Sequence, residues 1–117
     1  MQIQLYGKKI FVFREPIDFR ASIDGLSALI TNSIQQNPQS GVYLFYNKKR
    51  DKIKCLSWHK NGFILLYKRL EQGRFYFDFK ANQGVTEMNM DELQWLLAGL
   101  EWQKMRHWRK LSYDKFS

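Results

Sequence analysis

The apolar positions of this chain change their period several times, and each change predicts an element. Ile3 to Phe13 reads as a strand with Gly7, Lys8 and Lys9 as a turn inside it, and Ile10 to Phe13 is its most apolar part. Pro16 breaks that strand, since it lacks the N–H a ladder needs. From Asp18 the spacing lengthens. Phe19, Ile23, Leu26, Ile30 and Ile34 follow at intervals of four, three, four and four, which places them on one face of a helix over 18–36, ended by Asn37 and Pro38. Asp18 stands at the N-cap position. Gly25 lies inside the helix at a cost of about 1 kcal/mol relative to alanine, and marks either close packing on a sheet or a local break.

Three apolar runs follow, Val42 to Tyr46, Ile53 to Trp58 and Phe63 to Leu70, separated by polar turns at Asn47 to Lys52 and His59 to Gly62. That pattern is a β-meander. Phe75, Phe77 and Phe79 then alternate with Tyr76 and Asp78, as in a further short strand or an extended edge segment. Asn82 to Gly84 supply a turn. Asn89 followed by Glu92 forms a capping box, and Leu93, Leu96, Leu97 and Leu100 give a second helix, Met90 to Gly99, its apolar face. The fold predicted is a single α+β domain over 1–117: an antiparallel sheet of four or five strands, the first helix across one face, the second beside it or at the sheet edge. Residues 103–117 read as a basic C-terminal extension, helical or flexible.

Charge sharpens this picture. Between Gly41 and Phe75 lie nine cations (Lys48, Lys49, Arg50, Lys52, Lys54, Lys60, Lys68, Arg69, Arg74) against two anions, Asp51 and Glu71, so the meander carries +7 of the chain's formal +8. Cations at hairpin tips are ordinary solubilising devices. A merely solvated face usually mixes both signs, however, and these cations are interleaved with Tyr43, Tyr46, Trp58 and Tyr67, rings able to lie against bases. The candidate nucleic-acid contacts are therefore Lys48, Lys49, Arg50, Lys52, Lys54, Lys68, Arg69 and Arg74. A pI near 9.7 favours acidic partners, nucleic acid first. The longest apolar run, Phe63 to Tyr67, is far short of the roughly 20 residues that cross a bilayer, and a single cysteine with no leader pattern points to the reducing cytoplasm.

The residues that catalysis would need are not gathered. One cysteine and two histidines give no metal-ligand spacing, and Cys55 with His59 reads as a core thiol and a turn histidine. The carboxylates Asp18, Asp24, Asp51, Asp78, Asp91 and Glu92 are scattered, where metal-dependent phosphodiester chemistry needs two or three together. There is no glycine-rich phosphate cradle. No cofactor and no enzymatic activity are expected.

Several blocks carry a resemblance: Pro16-Ile17-Asp18-Phe19-Arg20 with Asp24-Gly25-Leu26, Asp51-Lys52-Ile53-Lys54, Trp58 before Asn61-Gly62-Phe63, and above all Tyr67-Lys68-Arg69-Leu70-Glu71-Gln72-Gly73-Arg74-Phe75. With the late leucine helix and Glu101-Trp102, the chain resembles the TnpB, or second-reading-frame, accessory proteins of the bacterial insertion-sequence class numbered sixty-six. The resemblance implies an accessory part in transposition beside a larger transposase that carries the strand-transfer chemistry. Two readings follow. In the first, the meander's cations neutralise DNA phosphates near the element's ends; in the second, the protein docks on the transposase through Phe75 to Phe79 or the tryptophan-bearing tail, without touching DNA.

Overall fold

The structure, a computed structural model, describes residues 8–106. It is an α+β fold built on a five-stranded sheet in the order β4-β3-β2-β1-β5. The strands are β1 (Lys9–Phe13), β2 (Gly41–Tyr46), β3 (Lys52–His59), β4 (Gly62–Arg69) and β5 (Val85–Met88), with helices α1 (Ile23–Ser33) and α2 (Met90–Leu97). The meander β2-β3-β4 is antiparallel throughout, as its two short turns require. The expectation of a wholly antiparallel sheet fails at one pair: β1 runs parallel to β2, Lys9 opposite Gly41 and Val12 opposite Leu44. A parallel neighbour needs a crossover, and α1 provides it. Gly41 lets the two strands approach, since a β-carbon there would sit 3.2 Å from the Phe11 ring.

All six residues of β2 are buried, because both faces of the sheet are covered. Tyr43, Phe45, Phe13 and Leu56 point to one face and pack with Leu26 and Ile30 of α1. Val42, Leu44, Tyr46, Ile53 and Cys55 point to the other, under Leu93 and Leu96 of α2, Phe75, Phe77 and Trp102. The second helix is thus on the opposite face from the first, and not beside it. Its start is as the sequence predicts: the Asn89 side chain accepts the Glu92 N–H and Glu92 returns the bond to the Asn89 N–H, both at 2.9 Å. Gly99, with φ of 80°, follows its end.

The first helix is shorter than the apolar spacing predicts. It starts at Ile23, not Asp18, for two reasons. The Asp18 carboxylate accepts the backbone N–H of Arg20 and binds its guanidinium, closing a local turn. The carbonyls of Phe19 and Ala21 accept bonds from the Lys54 ammonium at 2.8 and 2.7 Å. Ser22 then precedes the helix with no side-chain cap bond, and Gly25 does not interrupt it. At the far end Gln35 turns left-handed, φ 54°, and Gln36 donates back to the Ile30 carbonyl. Phe19 and Ile34 still pack on the α1 face of the core, so the apolar stripe is right although the helix is not continuous beneath it.

Two further differences concern the second half of the chain. Phe75 to Phe79 is extended but is not a strand: it crosses the α2 face of the sheet as a strap. Its carbonyls are held by side chains, Tyr76 by Trp102 Nε1 at 2.8 Å, Phe77 by Arg50 at 3.0 Å and Asp78 by Gln103 at 2.7 Å. Phe77 stacks on Tyr46 with ring centroids 4.0 Å apart. The fifth strand is instead Val85–Met88, antiparallel to β1 and fastened by Arg14, which donates to the Thr86 hydroxyl and the Gln83 carbonyl.

Candidate nucleic-acid interface

The basic residues are positioned by two loops bonded to each other at one end of the sheet. In the β2-β3 turn, Asn47 Oδ1 accepts the Lys52 N–H at 3.0 Å and Asn47 Nδ2 donates to Asp51 at 2.6 Å. That contact from Asn47, helped by Lys52 and Lys49 nearby, holds the Asp51 carboxyl below the usual range. Arg50 takes a left-handed backbone, φ 61°, with its N–H on the Asn47 carbonyl. The loop after β4 joins this turn through Leu70 N–H to Asp51 O at 2.8 Å and Phe75 N–H to Arg50 O at 2.7 Å. Lys48, Lys49, Arg50, Lys52, Arg69 and Arg74 are thereby gathered at one end, six cations against Asp51 and Glu71. Glu71 is bonded to Arg69 at 3.1 Å, which raises the Arg69 pKa further.

The other cations are not part of this cluster. Lys54 is 9% exposed, its ammonium bonded to two carbonyls and 4.8 Å from the Phe19 ring centre, so it faces the interior. Lys68 projects to the α2 side and binds the Leu97 carbonyl at 2.6 Å while remaining exposed. Lys60 sits in the β3-β4 turn, the length of an eight-residue strand away, roughly 25 Å. Lys8 and Lys9 share that far end, the Lys8 ammonium contacting the Trp58 carbonyl.

The rings sort differently from the sequence expectation. Tyr43 and Tyr46 are core, and the Tyr46 hydroxyl, its pKa raised by burial, donates to the Arg14 carbonyl at 2.7 Å. Trp58 is half-buried, edge-on to Phe63. Tyr67 is 52% exposed and Tyr76 49%. Tyr76 is not among the rings interleaved with the meander's cations, but its alternation with the inward Phe75 and Phe77 marks it as outward. It lies in a cleft of ≈ 380 Å³ beside the basic end, bordered by Arg50, Arg74, Asp78, Glu101 and Lys104. Lys104 is ion-paired with Glu101 at 3.1 Å and reaches the cleft from the helical residues 102–106 that follow α2, a juxtaposition no local pattern could announce. Of the aromatic strip expected at Phe75 to Phe79, Phe75 and Phe77 are turned inward, 1% and 4% exposed, and Tyr76 is the ring left outward. Trp102 is likewise buried, and Trp108 lies outside the described residues.

No three His, Cys, Asp or Glu side chains among the described residues are grouped as metal ligands. Cys55 is buried between β-strands, which pushes its thiol up to about 12. It is no thiolate nucleophile.

The model of a known family, described as IS66 Orf2 like protein, matches residues 8–107, every element described above. The chain belongs to that family. The IS66 Orf2-like proteins are accessory proteins of transposition. Among curated relatives, the Uncharacterized protein y4jC of Sinorhizobium fredii is 35% identical over 101 residues, 86% of each chain. A second protein of that organism, Uncharacterized protein y4hO, is 24% identical over 103 residues, 86% of this chain and 89% of its own. No solved structure matches this IS66 Orf2-like chain. No helix among its described residues is long and apolar enough to cross a membrane.

Proposed function

We propose that this IS66 Orf2-like protein is a non-catalytic DNA-binding accessory factor of transposition, acting beside the element's own transposase and gripping the phosphate backbone with the basic end of its sheet. The observation that carries the reading is the bonding of the 47–52 turn to the 70–75 loop, which gathers the backbones of Lys48, Lys49, Arg50, Lys52, Arg69 and Arg74 at one end of the sheet. With the backbone of both loops already ordered, binding costs only side-chain freedom, and each phosphate neutralised releases counterions. Lys54, and in part Lys68, serve the fold. Exposed Tyr76 beside Arg50 and Arg74 adds a ring where an unpaired base can stack.

The test compares the two ends of the sheet. Replacing Lys48, Lys49 and Arg74 together with glutamine is expected to lower the slope of log affinity against log salt on a random duplex by about two to three, at about 0.9 per phosphate contact. Replacing Lys8, Lys9 and Lys60, an equal charge at the opposite end, is expected to change it little. Equal slopes for both variants would reduce the basic end to net charge alone and overturn the reading.

A further inference from the structure

We infer that the protein forms a two-fold dimer by pairing β4 of one copy with β4 of another, edge to edge. The inference is independent of DNA binding. β4 ends the sheet, and among the described residues nothing pairs with its outer side. Leu70 N–H donates to the directly opposite Asp51 O, and Lys52 stands opposite Arg69, so even-numbered β4 residues bond to β3. The N–H and C=O of Phe63, Leu65, Tyr67 and Arg69 therefore point outward. This is an eight-residue edge of sequence GFILLYKR, without proline and with charge only at its last two positions. Leu66 is 44% exposed on it and Tyr67 52%. Such an edge is a template for another strand.

The side chains select a second copy and fix its register. In an antiparallel pair with the axis at Leu65, outward-bonding Leu65 meets itself. Ile64 then faces Leu66 of the second copy, Phe63 faces Tyr67, Gly62 faces Lys68 and Asn61 faces Arg69. Apolar residues meet apolar residues on both faces, and no cation is directly opposite a cation. Moving the axis to Tyr67 sets Lys68 and Arg69 against Leu66 and Leu65, to Leu66 sets them against Ile64 and Phe63, to Ile64 sets Lys68 against Lys60, and to Phe63 sets Leu66 against Lys60. A parallel pair would place both Lys68-Arg69 ends side by side. The α2 side supplies an independent sign. An apolar hollow of ≈ 270 Å³ opens there beside Ile64 and Leu66, walled by Ile53, Cys55, Leu93 and Leu97. Leu66 of the second copy, next to Ile64, extends that wall and shields the hollow from water.

Sedimentation of nuclease-treated protein in high salt, over a range of concentrations, tests this without bridging by DNA. The parent is expected to be a dimer, and Leu66→Lys a monomer with an unchanged circular dichroism spectrum. Leu65→Cys places two thiols on the axis and is expected to give a covalent dimer on oxidation, whereas Ile64→Cys, facing Leu66, is not. A parent that stays monomeric, a dimer that survives Leu66→Lys, or equal cross-linking at positions 64 and 65 would each overturn the proposal.

Discussion

Lys54 shows how a residue's type can be plain in the sequence while its role is not. It sits in an apolar strand among eight other cations of the meander, which groups it with the phosphate contacts, yet its ammonium holds the carbonyls of Phe19 and Ala21. Lys54→Met keeps the stem and removes the donor, leaving carbonyls at a half-buried site short of partners. Each buried carbonyl left so costs about 1–3 kcal/mol. Denaturant unfolding is expected to show a loss of that order, with the salt slope of DNA binding unchanged. Cys55 was legible from the start, being a lone thiol in an apolar strand. It is expected to resist thiol reagents at pH 8 in the folded protein and to react on unfolding, because burial holds it in the neutral form. Asp18 was misread as a helix cap. The Arg20 side chain bonded to it lowers its pKa from 3.8 to about 2. A lowered folded value means that the contribution is present above about pH 4 and is lost as pH falls through 2. Asp18 is exposed, so the effect on stability is small; the clear readout is an NMR titration in which Arg20→Gln returns its carboxyl towards 3.8.

Elements with a strong local signal were legible, and those made by distant partners were not. The meander follows from its alternation and polar turns, and α2 from its capping box. β5 has four residues, VTEM, with Glu87 among them, and becomes a strand only because β1 offers an unpaired edge and Arg14 clasps Thr86. The strap at 75–79 has a strand's alternation, but its carbonyls are taken by Arg50, Trp102 and Gln103 from elsewhere in the chain. Trp102→Ala removes a fully buried ring and the donor to Tyr76, and should cost about 3–5 kcal/mol. Hydrogen exchange distinguishes this from a uniform loss: amides of 75–79 should lose protection ahead of those in β2. In α1 the central contacts are Leu26 and Ile30, both fully buried, while Ile23 is half-buried nearer the helix start. Leu26→Ala is expected to cost about 2–5 kcal/mol, more than Ile23→Ala.

At the scale of the molecule, the charge excess of the meander was legible as a sum but not as a surface. A strand carries charge to both of its ends and both of its faces, so the nine cations of the meander divide into six at one end, a turn lysine at the other, an inward ammonium, and Lys68 on the α2 side. The α+β class followed from counting elements; the parallel β1-β2 pair did not, because nothing in Ile10 to Phe13 states the direction in which a distant strand will lie beside it. That placement has a kinetic consequence. β1 comes early in the chain, yet its outer neighbour β5 begins 72 residues after β1 ends, at Val85 against Phe13. Closing so long a loop is slow compared with forming the local hairpins of the meander. On the ribosome, β2, β3 and β4 can pair as they emerge, while β1 keeps an open edge until almost the whole described chain has been made. For that interval the nascent protein presents an unpaired apolar strand to its neighbours, and crowded polysomes are where its misassembly should be sought.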